Sequence, residues 1–172
     1  MKIAIITSCS KDKLDYSAMA VNLYQGQFFQ AVVKINTILH ADLYVMSAKY
    51  GLIQAWQEIE PYNQRIENKS DIARLKLTLE PLLGSILDSH DLVVVLMGSE
   101  YASVFEDYFT HEKLLRSEDH RGSGGFKQLA FKLRLLSRKE LENYFINVHS
   151  QKEVISIETL EAWQKKKQKT LL

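Results

Sequence analysis

The chain has 172 residues, 46% of them apolar and 25% charged, which is ordinary for a folded globular domain and excludes a disordered one. No uninterrupted apolar run of about 18 residues is present, which excludes a membrane-spanning helix, and the net charge of +1 gives no global pull toward nucleic acid, so such binding would need a local basic surface. The single cysteine, Cys9, excludes an internal disulfide and fits a reducing compartment. Met1-Lys2-Ile3-Ala4-Ile5-Ile6 is too short an apolar start for a signal peptide, so the expected location is cytoplasmic.

Residues 2–7 are β-branched and apolar, the pattern of a central parallel strand buried on both faces. This strand ends in Thr7-Ser8-Cys9-Ser10-Lys11, where hydroxyls, a thiol and an ammonium can face an anion or a polar ring. Leu23-Tyr24-Gln25-Gly26 reads as a turn, and the apolar spacing from Phe28 to Leu39 predicts a helix from about Gly26 onward. A second strand, residues 43–46, stops abruptly at Ser47-Ala48-Lys49-Tyr50-Gly51. Lys49, beside a buried strand, must reach solvent or meet an anion. Pro61 stiffens the chain ahead of Tyr62 and Asn63. Asn68-Lys69-Ser70-Asp71 carries helix-start chemistry, the leucines from Leu75 to Leu87 form an apolar stripe, and Pro81 kinks or breaks it. Residues 91–97 are the clearest strand, closing on Gly98-Ser99-Glu100-Tyr101 and a short helix.

His120-Arg121-Gly122-Ser123-Gly124-Gly125-Phe126-Lys127 is a glycine-rich loop opening a further helix, and its backbone N–H groups with Arg121 and Lys127 suit a phosphate. It matches neither the Walker nor the dinucleotide spacing, and the glycines alone could simply turn the chain. Beyond it come a helix from Arg138, a short extended piece at residues 153–156 and a last helix whose Lys165-Lys166-Lys167-Gln168-Lys169 run reads first as a solvated, disordered tail. The expected organisation is one α/β domain over 1–150, followed by a C-terminal helix with its lysine-rich tail over 151–172. Strands alternating with helices predict a three-layer domain around a mainly parallel sheet of about four strands. The ends of its three long strands then converge on one edge, where open α/β sheets keep their ligand sites.

The ordered set Cys9-Ser10-Lys11, Leu23-Tyr24-x-Gly26-x-x-Phe29, Ser47-Ala48-Lys49-Tyr50-Gly51-Leu52, Ile59-x-Pro61-Tyr62, Gly98-x-x-Tyr101 and the segment from Gly122 to Lys127 resembles a family of small bacterial and phage domains of unknown function. That family looks related to the peroxide-stress protein YaaA and, remotely, to the Cys-Ser-x-Lys domain of archaeosine synthase. The resemblance spans residues 1–136 and implies a fold like that of uracil-DNA-glycosylase or YaaA, with a connection to nucleobases or DNA. Two departures stand out. Asn63 occupies a position where relatives often carry an aspartate, and it cannot act as a base as an aspartate would. The Ser-Gly-Gly order of the glycine loop also differs from the commoner pattern.

The expected function is therefore a glycosylase-like enzyme that cleaves an N-glycosidic bond in DNA, for repair, base modification or phage defence. In that reading Lys49 and Lys11 supply electrostatic stabilisation, Asn63 orients water or the base, and Cys9 is a possible nucleophile or a packed thiol. Ser8, Ser10, Tyr24, Ser47, Tyr50, Tyr62, Gly98 and Tyr101 bind the substrate, and Arg121, Gly122, Ser123, Gly124 and Lys127 hold a phosphate. No metal or other cofactor is expected, because no histidine stands at a ligand spacing from Cys9 or the acids. The alternative is a non-catalytic DNA- or nucleotide-binding stress-response protein that uses the basic segment 113–139; a transferase acting on a free nucleotide or sugar is a third class.

Overall fold

The computed structural model describes residues 1–118 and 123–170. Its centre is a five-stranded sheet formed by β1 (Ile3–Ser8), β3 (Asp42–Ser47), β4 (Gly51–Gln54), β6 (Leu92–Leu96) and β7 (Leu114–Arg116), in the order β4-β3-β1-β6-β7. Four strands run parallel, and β4 alone returns antiparallel, as a hairpin on β3. A two-stranded ribbon of β2 (Ala18–Met19), which runs into the short helix α1 (Ala20–Leu23), and β5 (Glu58–Ile59) stands apart from it. The central sheet thus has one strand more than expected. β4 and β7 are too short to announce themselves by alternation, while residues 153–156 contribute only a bridge between Ile155 and Ser117.

Strand alternation sorts the core into two layers. Ile3, Ile5, Val45 and Val94 pack with the helices α2 (Gln27–Leu39), α6 (Ser123–Leu133), α7 (Arg138–Ser150) and α8 (Ile157–Thr170). Ala4, Ile6, Met46 and Val95 face the opposite layer, formed by α3 (Lys69–Lys76), α4 (Glu80–Ser89) and a 3-10 helix (Ser103–Tyr108). Each fully buried branched side chain here is worth about 1.5–3 kcal/mol, which is why near-continuous apolar runs become the central strands. The result is the expected three-layer α/β arrangement.

Helix boundaries follow local chemistry. The Asn68 side chain accepts from the Asp71 N–H and Asp71 reaches back, a capping box that starts α3; Ser137 and Glu140 do the same for α7. Pro81 sits in the first turn of α4, where its missing N–H costs nothing, so it starts a helix after a break. The C-terminal lysines stand on α8 as far as Thr170 instead of forming a loose tail. Ile157 and Leu160 lie in the same core as Ile5, and Lys167 pairs with Glu140. Among the described residues no helix is long and apolar enough to cross a membrane.

Candidate functional site at the carboxyl edge of the sheet

β1 pairs with β3 on one side and β6 on the other, so chain order reverses beside β1. Such a switch point opens a crevice outside the carboxyl ends of the strands. The register sets Ser8 opposite Met46 and Thr7 opposite Leu96, which brings Cys9, Ser47 and Gly98 to one edge as expected. There the Cys9 thiol donates to the Tyr101 hydroxyl oxygen at 3.3 Å, joining the turn after β1 to the short helix α5 (Ser99–Ala102) after β6.

Next to this contact a tyrosine network crosses the edge. The buried Ser47 Oγ accepts the backbone N–H groups of Lys49 and Tyr50, at 3.3 and 3.0 Å, and lies 2.7 Å from the Tyr62 hydroxyl. With its acceptor capacity used on the two amides, Ser47 has its own proton to give to Tyr62. Tyr62 then meets the fully buried Tyr24 hydroxyl at 2.8 Å, and the Tyr50 ring stands edge-on to Tyr62 at 5.6 Å. Burial pushes the Tyr24 hydroxyl up to about 12 against the opposing hydrogen bonds with Tyr62 and Ser47. Tyr62 and Tyr101 are also raised, by burial first and then by the adjacent Cys9. All three hydroxyls therefore stay protonated at neutral pH.

A cavity of about 390 Å³ opens in front of Cys9 and Tyr101, in the size range of small-molecule sites. Ser10, Lys11 and Lys13 enter it from the turn after β1, and Asn63, Gln64, Arg65 and Glu67 from the segment after Pro61. Lys13 is the residue that sequence reasoning missed. Its Nζ lies 4.4 Å from the centre of the Tyr62 ring and 5.7 Å from that of Tyr24. Burial pulls its ammonium below the ordinary lysine value, while Cys9 and Asp12 pull the other way. An antiparallel bridge to Tyr24 holds the residue in place. The Tyr62 ring beneath it comes from a distant part of the chain, which leaves Lys13 no local signal, whereas Gln64, Arg65 and Glu67 could have been reached by following the chain past Asn63.

Lys49 sits elsewhere. The Ser47 turn directs it outward, where it is exposed with its Nζ over the Tyr50 ring at 5.1 Å. Of the two outcomes open to a lysine beside a buried strand, it is the one that reaches solvent. Arg74 secures this turn by donating to the Ala48 carbonyl at 2.7 Å. Gly51, at φ +75°, closes it where a side chain would strike Thr78 at 2.5 Å. Lys11 is exposed but borders the cavity. Gly98 caps α5 with open space around it. Arg121 and Gly122 lie outside the described residues, as does the side chain of Ser123. Gly124 is exposed, and Lys127 lines a separate hollow. Among the described residues no group of three His, Cys, Asp or Glu side chains could hold a metal ion.

Fold and site define an α/β domain with a polar, cation-lined cavity at the switch point of a mainly parallel sheet. Residues 3–131 match a family of unknown function (DUF6884), and the chain belongs to that family. Neither the curated proteins nor the solved structures provide a match.

Proposed function

We propose that this cavity binds a nucleotide of DNA and that the protein cleaves its N-glycosidic bond. The observation that carries the reading is the convergence of the Asn63 and Gln64 amides with the cations Lys11, Lys13 and Arg65 around one cavity of about 390 Å³. Amides can read the edge of a base. The cations can hold its phosphate or the charge that develops as the base departs. A relation to YaaA and archaeosine synthase, suggested by the Cys9-Ser10-Lys11 and Ser47–Gly51 motifs, points the same way.

The chemistry is a hydrolysis. The bond between C1′ and the base nitrogen breaks with its electron pair leaving on the base, water adds its oxygen to C1′, and the water's proton passes to a base. Asn63 cannot accept that proton, but Glu67 lines the same cavity and can. Lys13 replaces Lys49 as the electrostatic residue, being the lysine that is drawn partly out of water beside the cavity. The departing base takes up a proton from solvent or from Lys13.

One observation favours the non-catalytic reading, a DNA- or nucleotide-binding stress-response protein: the Tyr24, Tyr62 and Tyr101 hydroxyls are held protonated, which suits hydrogen bonding to a ligand rather than proton abstraction. The two readings separate in one experiment. The protein is incubated with DNA bearing ordinary, damaged and modified bases, and released bases and abasic sites are measured by mass spectrometry. Release that is lost in Lys13→Met and in Glu67→Gln supports the enzyme. Binding without release, weakened in Lys13→Met, supports the module.

A further inference from the structure

Lys13 stands where it can do more than stabilise charge. Its Nζ lies over the faces of Tyr62 and Tyr24, at 4.4 and 5.7 Å from the ring centres, on the wall of the cavity of about 390 Å³. Tyr62 is pinned beneath it by Ser47 and Tyr24 at 2.7 and 2.8 Å, and the backbone bridge from Lys13 to Tyr24 fixes the stem. The amine is therefore held in one place before any ligand arrives, the preorganisation a nucleophile needs. Lys11, two residues away, is exposed and has no such floor.

Among the described residues the Nζ has one hydrogen bond, to the Lys11 carbonyl at 3.3 Å, and no carboxylate forms an ion pair with it. A lysine in an ion pair is fixed as the ammonium, whereas one resting on ring faces and a carbonyl gives up its proton more readily. Burial works in the same direction and prevails over the pull of Cys9 and Asp12. A partly desolvated lysine of this kind is the usual source of an amine that attacks a carbonyl carbon. When the Lys13 ammonium gives its proton to a departing base, that amine is left free beside C1′ of the sugar.

We propose that Lys13 is also a nucleophile toward abasic DNA: it forms an imine with C1′ of the base-free sugar, and the strand is then cut on the 3′ side. The inference rests on the reading of this cavity as a nucleotide site. In the open-chain sugar C1′ is an aldehyde. The amine adds to it, one proton is taken up from solvent, and water leaves, which gives the protonated imine. The C2′–H bond then breaks with its proton passing to Glu67, which lines the same cavity. A C2′=C3′ double bond forms, and the C3′–O bond breaks with its electron pair on the departing phosphate, whose charge Arg65 can meet from the same wall. Water finally hydrolyses the imine, releasing the unsaturated aldehyde and restoring Lys13.

The test uses the full chain and a single-stranded oligonucleotide carrying one preformed abasic site, so that it does not depend on base release. Sodium cyanoborohydride reduces an imine to a stable amine, peptide mass spectrometry locates the linkage, and a gel without the reductant resolves cut strands. The expected result is an adduct on Lys13 and cleavage 3′ to the abasic site. Both are expected to be lost in Lys13→Arg, which keeps the positive charge and continues to bind the oligonucleotide in fluorescence anisotropy. An adduct confined to the amino terminus or to exposed lysines such as Lys11 would overturn the proposal, as would an abasic strand that binds without any adduct; base release, measured separately, then decides the first reading by itself. An adduct on Lys13 with no base released from any DNA would uphold the strand-cutting step and remove the glycosylase. Binding of neither the abasic nor an ordinary strand would overturn both proposals.

Discussion

The Cys9 thiol and the Tyr101 hydroxyl meet at 3.3 Å, although 92 residues separate them in the chain. They come from the turn and the short helix that follow two neighbouring parallel strands, so the contact marks the point where the sheet reverses its order. Because Cys9 lines the cavity beside Tyr101, its accessibility reports on ligand there. An oligonucleotide is expected to slow alkylation of Cys9 by iodoacetamide severalfold, read by intact-mass spectrometry. Cys9 is the chain's one cysteine, so the signal has a single source. An alkylation rate indifferent to saturating oligonucleotide would separate Cys9 from the binding site.

Glycines provide a matched pair of tests of the geometry around Cys9. Gly26→Ala puts a methyl group 2.7 Å from the Ser10 Cβ, an atom fixed to the backbone that cannot swing away. It is expected to cost about 1–3 kcal/mol in urea denaturation and to displace the turn that carries Lys11 and Lys13. Gly98→Ala meets nothing within 4 Å at an ordinary φ of −64°, and stability is expected to stay within about 0.5 kcal/mol of the wild type.

Tyr62→Phe removes the hydroxyl that links Ser47 to Tyr24 at 2.7 and 2.8 Å. Two buried hydroxyls then lose a partner, for an expected loss of about 1–3 kcal/mol. Adding Tyr24→Phe should cost less than it does alone, because the second change removes a group already orphaned. A double-mutant cycle in denaturant reads this coupling, and strict additivity would mean the network contributes nothing as a unit.

Stability should also fall at alkaline pH. The Tyr24 hydroxyl is raised from an ordinary 10.0 to about 12 in the folded chain. Its contribution is complete below 10, where both states are protonated. Above 10 the unfolded chain loses the proton while the folded chain keeps it, so stability declines as pH rises toward 12. Tyr144, likewise raised to about 12 by burial, adds to the same decline. Denaturation midpoints between these limits should fall less steeply in Tyr24→Phe than in the wild type. At acid pH the sign reverses for Asp42: burial opposes its charge, but hydrogen bonds from His90 and Lys2 outweigh burial and hold its carboxyl below 3.8. That contribution is present above 3.8 and is lost as pH falls through the lower folded value.

The three long strands are legible in the sequence because burial on both faces leaves uninterrupted apolar runs, Ile3 to Ile6 in β1, Leu43 to Met46 in β3 and Leu92 to Leu96 in β6. Their shared edge follows from parallel direction alone, so Cys9, Ser47 and Tyr101 are found together from sequence. The inward lysine is not legible. Lys11 and Lys13 sit two residues apart in the same polar turn, and what turns Lys13 inward is its bridge to Tyr24 and the ring of Tyr62, the latter brought in from far along the chain. Lys49 misleads for the opposite reason: its strand is buried, but the Ser47 hydroxyl folds the chain into a turn that exports the next side chain but one. The strand β7, three residues long, lacks the length for any periodic signal.

The most direct test of the site itself is hydrogen–deuterium exchange of the full chain with and without a single-stranded oligonucleotide. The account predicts slowed exchange in residues 9–13 and 63–67 and around Tyr101, with α8 and its lysines unchanged. Protection confined to α8, with the carboxyl edge of the sheet exchanging as before, would contradict it and move the nucleic-acid surface to the C-terminal helix.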